Sequence, residues 1–416
     1  MRDYGVFRVE SKADVLEQSR AYWNPGKTDF WSESGVDLVI DRRESYFIWD
    51  MSGARLIDVH LNGGTYNLGH RNPELVEAIT TGMRSFDSGN HHFPSSARAA
   101  LAEALISAAP PGLAKVVYGS GGGEAIDIAL KTARHATGRR RIISIVRAYH
   151  GHTGLAVAAG DDRFSRLFLS DRPDEFTQVP FNDLAAMEAA LAGGDVAAVI
   201  METIPATYGF PLPVPGYLEA VKAACEQHGT LYIADEVQTG LMRTGELWAI
   251  TKHGIDPDIL VTEKCGEWLT EDGFAHMSTF GGAELGCVAA LKTLEICTRP
   301  ETRSMVHYIS DLMGRGLRAI QDRYPDWFTG IRQNGVVMGL EFDHPEGAKY
   351  VMRHLYEAGV WAIFSTLDPR VLQYKPGLLM TPELCEELLE RTEAGISRAR
   401  AEVRKNPARS AAGSRS

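Results

Sequence analysis

Four short stretches of this 416-residue chain hold residue types that can do chemistry. The first is YGSGGGEA, Tyr118 to Ala125, a glycine cluster directly ahead of a helical pattern. Consecutive glycines let backbone N–H groups approach an anion closely, and a helix N-terminus adds partial positive charge, so the stretch has the form of a phosphate cradle. It fits neither G-x-G-x-x-G nor a Walker loop, and a plain strand-to-helix turn is the competing reading. The second is AYHGHT, Ala148 to Thr153, which offers Tyr149, His150 and His152 just past a strand. An aromatic ring there can stack on a flat ligand or simply join the core. The third, LYIADEVQTGLMRTG, ends an apolar strand on Asp235 and Glu236. A carboxylate delivered by buried residues needs a cation or hydrogen-bond donors to offset desolvation. A protonated ring nitrogen would serve, and so would an ion pair with an arginine such as Arg243. The fourth, PDILVTEKCGEW, brings Lys264 to the end of the run Ile259–Thr262. An amine so placed is either an ordinary surface lysine or a group that can bond a carbonyl carbon and shuttle a proton.

These stretches need elements to hold them. GEAIDIALKTARHATG is amphipathic with Gly138 as a stop, and GYLEAVKAACEQHG reads as a helix ending at Gly229. RIISIV, VAAVIME and LYIADEV are apolar runs without alternation, the habit of strands buried on both faces in a parallel sheet covered by helices. Ahead of them, Tyr46–Trp49 and Arg55–Val59 flank Ser52-Gly53 and predict a β-hairpin. After GCVAALKTLEI, helical stretches mix with short strands such as GVVMGLEF and GVWAIF, which points to a smaller α+β domain. The expected division is 1–54 as an N-terminal arm and part of the small domain, 55–290 as the large domain and 291–404 as the C-terminal small domain. Residues 405–416, basic and rich in small residues, read as a disordered tail.

Hydrophobic residues at 44%, charged residues at 23% and a net charge of −11 describe a soluble chain and argue against nucleic acid or an anionic membrane as partner. Five scattered cysteines without C-x-x-C spacing indicate neither a disulfide framework nor a zinc site, which suits a reducing cytoplasm. The N-terminal residues lack the apolar core of a signal peptide.

In combination and in order, DVHLNGGTYNLGHRNPELVEAI, EAIDIALKTAR, AYHGHT, ADEVQTGLMRTGELWA, GIDPDIL and STFGGAELGC resemble the class III aminotransferases, pyridoxal 5'-phosphate enzymes of fold type I. The resemblance implies an α/β fold with a large, mostly parallel sheet domain and a smaller α+β domain from both termini. It implies that Gly122 and Gly123 bind the cofactor phosphate, Tyr149 stacks on the pyridine ring, Asp235 pairs with the ring nitrogen and Gln238 lies near the ring hydroxyl. Thr279 would contact the phosphate of the neighbouring subunit, which implies a homodimer with shared active sites. Glu202 stands where the family keeps an active-site glutamate. The implied reaction is amino transfer between an amine or amino acid and a 2-oxo acid. An isomerase of the same fold and a catalytically impaired homologue acting as a binding partner are the alternatives.

Lys264 follows Asp235 by 29 positions, in register with the family's cofactor-bonding lysine, yet it precedes Thr279 by only 15, roughly half the interval the resemblance implies. The glycine-rich turn and strand that follow the family lysine are missing. Either Lys264 is the catalytic lysine and the segment after it is lost, or LVTEKCGEWL is the later strand and the segment bearing the true lysine is lost. The first parse keeps the aspartate-to-lysine spacing. Two further departures bear on substrate: His152 and Lys375 stand where the family often has arginines. Lysine lacks the guanidinium fork, so a dicarboxylate such as 2-oxoglutarate is less firmly expected as acceptor. Trp23, Phe30, Trp31 and Tyr66 would line a more apolar pocket or form a packing arm.

Overall fold

The computed structural model describes residues 11–89, 92–261 and 268–405, together with two short strands, Arg2–Asp3 and Arg8–Val9. The chain forms two compact units, one of residues 73–307 and one of residues 1–72 with 308–416.

In the larger unit five strands lie side by side in the order Ile259–Val261, Leu231–Asp235, Val196–Glu202, Arg141–Ile145 and Phe176–Val179, and every pairing is parallel. All seven residues of Val196–Glu202 are buried, as a strand covered on both faces requires. Side chains alternate between faces at a period of two. Ile143, Val199, Met201, Tyr232 and Leu260 therefore join one core, with Leu218 and Val221 of the helix Tyr217–Gln227. Ile142, Ala198, Ile200, Ile233 and Ile259 join the other, with Ile126 and Leu130 of the helix Gly122–Thr137. Truncating Leu130, fully buried, to alanine would cost about 2–5 kcal/mol. That helix ends where Gly138 takes φ 64°, the left-handed stop predicted for it. Among the described residues Ile259–Val261 pairs on one side only.

The smaller unit has two four-stranded sheets. The predicted hairpin is there, Phe47–Asp50 against Arg55–Asp58. Its second strand also takes Val360–Trp361 as a parallel neighbour, so residues 55–72 belong to the smaller unit rather than the larger one, as the sequence division had it. GVWAIF is not one strand but two. Val360–Trp361 joins this sheet and Ile363–Ser365 the other, against Asp368–Tyr374. The N-terminal helix Pro25–Glu33 packs Trp31 on Trp361 and Phe30 on Phe364, with ring centroids 5.3 and 6.0 Å apart, the packing-arm reading of those two aromatics. Leu61, Asn62, Gly63 and Gly64 run consecutively at positive φ, a left-handed turn. It costs about 1–2 kcal/mol for each non-glycine residue and must be held from outside. Asp58 holds it: Oδ1 accepts from the backbone N–H of His60 at 2.9 Å and Leu61 at 2.8 Å, while Oδ2 lies 2.9 Å from His70 Nε2.

Among the described residues no helix is long and apolar enough to cross a membrane, and no cluster of metal-ligating side chains occurs. Cys225, Cys287, Cys297 and Cys385 are buried free thiols. Cys265 and the tail from residue 406 lie outside the described residues.

Candidate active site

Parallel strands end together, and the candidate residues of the larger unit gather at that common edge. Glu202 is the last residue of its strand and stands in register with Asp235, the last of the next, which in turn is in register with Val261. Three chain positions after Val261 comes Lys264, which itself lies outside the described residues.

Asp235 is buried, and its Oδ2 lies 2.8 Å from Nδ1 of His150, whose side chain is fully enclosed. The backbone N–H of Val237 donates to Asp235 Oδ1 at 3.1 Å. His150 Nε2 is buried without a partner among the described residues. Beside them Glu202 accepts from the backbone N–H of Tyr149 at 3.1 Å and of Ala206 at 3.0 Å. Burial first, and then the negative charge of Asp235, push its carboxyl up to about 7. Glu202 thus ties the loop after one strand to the end of another. The Tyr149 ring is half-buried and meets His152 and Phe164 edge-on at 5.2 and 5.8 Å.

Glu236 solves its own burial differently. Thr203 and Thr239 hydroxyls donate to it at 2.5 and 2.8 Å, and the backbone N–H groups of Ala249 and Ile250 each at 2.9 Å. Arg243 meanwhile donates to the backbone carbonyls of Val237 and Gln238, both at 2.8 Å. The neighbouring carboxylates have separate duties: Glu236 braces the loop, and Asp235 faces His150.

The glycine cluster opens the helix Gly122–Thr137, with Gly121 as an N-cap that makes no side-chain bond. Glu124 in the first turn accepts from Ser120 N–H and Oγ, both at 2.6 Å. The cradle is narrow on its inner side. A Cβ on Gly123 would stand 2.9 Å from Thr153 Oγ1, and one on Gly151, at φ 108°, would stand 2.7 Å from Gly123 Cα. On Gly122 a Cβ would meet only Val237, at 3.5 Å. The cradle therefore touches both the AYHGHT loop and the residue two beyond Asp235. Helix-start N–H groups free of side-chain caps suit a phosphate, and a buried carboxylate aligned by an imidazole suits a cationic ring nitrogen. These residues fit pyridoxal phosphate.

The sequence profile "Aminotransferase class-III" matches residues 31–396. The chain belongs to the class III aminotransferases. It is 40% identical over 386 residues to an uncharacterized aminotransferase of Archaeoglobus fulgidus, covering 89% of this chain and 90% of that one. Its fold matches the ornithine aminotransferase of Toxoplasma gondii with a TM-score of 0.86 at 22% identity, over 96% of this chain and all of that one. It matches the N-acetylornithine aminotransferase of Stenotrophomonas maltophilia with a TM-score of 0.75 at 26% identity, over 90% and 99% of the two chains. The aminotransferase thus has fold type I and depends on pyridoxal phosphate.

Gln238 is half-buried and Thr279 exposed, beside Ser278, whose hydroxyl donates to Glu124 Oε2 at 3.0 Å. His152 is exposed at the mouth of the AYHGHT loop. Lys375 belongs to the smaller unit, is buried, and donates through Nζ to Gln373 Oε1 at 2.9 Å. The sequence reading gave no role to His150. Its partnership with Asp235 spans 85 positions and left no local signal.

Proposed function

We propose that the transamination runs on Asp235, Lys264 and the cradle Gly122–Gly123, in a homodimer in the cytoplasm, with an amine or amino acid as donor and a 2-oxo acid as acceptor. The observation that carries this reading is the alignment of Asp235: it ends a buried strand, is held by His150 and Val237, and stands in register with Val261, which leads to Lys264. Pyridoxal phosphate, when bound, supplies an electron sink for the carbanion left when a substrate Cα proton departs. The N–H groups of Gly122 and Gly123 would hold its phosphate, and Thr279 of the neighbouring subunit would add a further contact. Tyr149 would cover the ring, Gln238 would sit by its hydroxyl, and Asp235 would keep a proton on the ring nitrogen. Lys264 would be the amine that anchors the cofactor and would move the Cα proton of the substrate. His152 and Lys375 take the substrate's carboxylate groups.

Glu202, proposed at the substrate, also holds Tyr149 by its backbone N–H. The parallel pairing of Ile259–Val261 directly beside the Asp235 strand supports the parse in which Lys264 is the family lysine. Visible absorbance of the purified protein, followed by exposure to amino donors without acceptor, tests the reading. The cofactor band should bleach as amino groups move onto the cofactor, and Asp235→Asn should slow that bleaching. A protein whose cofactor band is indifferent to every donor and to Asp235→Asn would overturn these roles.

A further inference from the structure

The helix Gly154–Ala159 starts against the glycine cradle, and Thr153 is its N-cap. A threonine in that position ordinarily turns its hydroxyl back to accept from an N–H of the first helical turn. Thr153 makes no such bond. The N–H it would have capped, that of Ala156, donates instead to Asp127 Oδ1 at 2.8 Å. Asp127 lies in the helix Gly122–Thr137, one turn on from Gly123, and a Cβ on Gly154 would stand 3.1 Å from its Oδ2. This carboxylate caps the neighbouring helix, and the Thr153 hydroxyl is left without a hydrogen-bond partner among the described residues. That hydroxyl faces the cradle. Of the atoms a Cβ on Gly123 would meet, Thr153 Oγ1 is the nearest at 2.9 Å, ahead of Cγ2 at 3.3 Å and Cβ at 3.6 Å. The cradle has no side chain of its own there, because residues 121–123 are all glycine. Two other hydroxyls near the helix start, those of Ser120 and Ser278, donate to Glu124 Oε2 at 2.6 and 3.0 Å. Gly122 and Thr153 are both exposed, so an anion from solvent reaches both.

We propose that Thr153 donates its hydroxyl to the cofactor phosphate, supplying from the AYHGHT loop the side-chain contact that the three glycines lack, and that Asp127 is the positioning residue that keeps this hydroxyl available. This rests on the assignment of the cradle to phosphate and adds a residue to it. A phosphate ester offers three strong acceptor oxygens, and hydrogen bonds to a charged oxygen are stronger than those between neutral groups. A hydroxyl adds a donor there without adding charge, and its hydrogen rotates to suit. The loop is fixed against the cradle, since a Cβ on Gly151 would stand 2.7 Å from Gly123 Cα. Without the Asp127 carboxylate the Ala156 N–H would lose its acceptor, and the Thr153 hydroxyl would turn back to cap it.

The test measures, by equilibrium dialysis against the full chain, the affinity for pyridoxal phosphate and for pyridoxal, which lacks the phosphate. Thr153→Val should weaken pyridoxal phosphate about tenfold, the effect of losing one hydrogen bond to a charged group, and leave pyridoxal unchanged. Thr153→Ser keeps the hydroxyl and should bind both as the parent does. Because the Thr153 side chain caps nothing, Thr153→Val should also unfold in urea where the parent does. Asp127→Leu should weaken pyridoxal phosphate as Thr153→Val does, and the double variant should lose no more than either alone. Asp127→Asn, which keeps an acceptor for Ala156, should bind as the parent. Additive losses would overturn the role of Asp127. Equal weakening of pyridoxal and pyridoxal phosphate by Thr153→Val, with a lower urea midpoint, would make Thr153 a structural residue and overturn the phosphate contact. Gly122→Asp is measured in parallel. If it loses pyridoxal phosphate while Thr153→Val does not, the role of Thr153 is overturned and the cradle stands. If neither variant loses affinity, the cradle assignment falls and the proposal with it.

Discussion

His150 Nδ1 and Asp235 Oδ2 stand 2.8 Å apart, in side chains almost wholly shut off from solvent. Asp235 comes from a strand and His150 from the loop after another strand two places away in the sheet. A carboxylate that pairs with a ring nitrogen has to stay aimed at it, and an imidazole N–H on one oxygen holds it in place.

If His150 acts through Asp235, their substitutions will not add. His150→Leu should slow the half-reaction with an amino donor about 10- to 100-fold, and Asp235→Asn by about two orders of magnitude or more. The double variant should be no slower than Asp235→Asn alone, because the imidazole has no further group to work through. Single-turnover rates, read from the cofactor's absorbance, decide this. Additive losses would mean that His150 has a role of its own.

Gly151 is a backbone requirement. Its φ of 108° lies where side chains are strained, and a Cβ would press 2.7 Å from Gly123 Cα. Gly151→Ala should therefore cost about 2 kcal/mol or more in urea unfolding. Gly122 has room, since a Cβ there meets only Val237. Gly122→Asp should fold nearly as well as the parent and lose cofactor affinity at least tenfold, because its carboxylate opposes the phosphate and the helix start together. Equilibrium dialysis with pyridoxal phosphate measures this, and unchanged affinity would remove the cradle from the site.

Much of the larger unit could be read from the chain because strands buried on both faces need apolar residues at every position. Val196–Glu202 and Leu231–Asp235 show this without any knowledge of their neighbours. Partners distant in sequence could not be read. The pairing of Ile57 with Val360 moves the boundary between the units, yet neither residue carries a mark of it. The carboxylates that end LYIADEV suit either a protonated ring nitrogen or an ion pair with an arginine such as Arg243. Glu236 takes its hydrogen bonds from two threonines and two backbone amides, donors that no local pattern announces. In DVHLNGG the positive φ of Asn62, Gly63 and Gly64 suits those residue types, whereas that of Leu61 follows from the fold alone.

Glu202 gives the cofactor-free protein a pH dependence whose sign is fixed. Its folded value is raised from an ordinary 4.5 to about 7. Below about 4.5 the carboxyl is protonated in folded and unfolded chains alike, so its burial carries no charge penalty. Between about 4.5 and 7 only the unfolded chain ionises, so the folded state holds the extra proton and stability falls as pH rises. Above 7 the loss is complete. Glu202→Gln cannot ionise and should flatten this part of the profile by roughly 3 kcal/mol between pH 4.5 and 8, although it gives up one of the two backbone bonds to Tyr149 and Ala206. Urea unfolding of both proteins at a series of pH values reads it. An unchanged slope would mean that Glu202 is ionised in the folded chain throughout.

Lys264 decides whether the chain turns over as it stands. If it bonds the cofactor, borohydride should fix pyridoxal phosphate to the protein, and peptide mapping should place the adduct on the fragment containing VTEKCGEW. Lys264→Ala should then abolish both the adduct and the half-reaction, because no other amine would be poised at the cofactor's aldehyde carbon. The register of Val261 with Asp235 favours this outcome, since it brings the chain to the level of the aspartate three positions before Lys264. The one-sided pairing of Ile259–Val261 weighs against full activity. A lysine in the right place still needs walls around it, and a strand that would extend the sheet beyond that edge is missing from the described residues. Inserting a family-like glycine turn and strand after Lys264 should therefore raise the half-reaction rate at least tenfold if the first parse holds. If cofactor binds without any adduct, the same insertion placed between Leu260 and Val261, with a lysine in it, should create activity instead. Activity from the second design and none from the first would show that the lysine-bearing segment is the one this chain lacks.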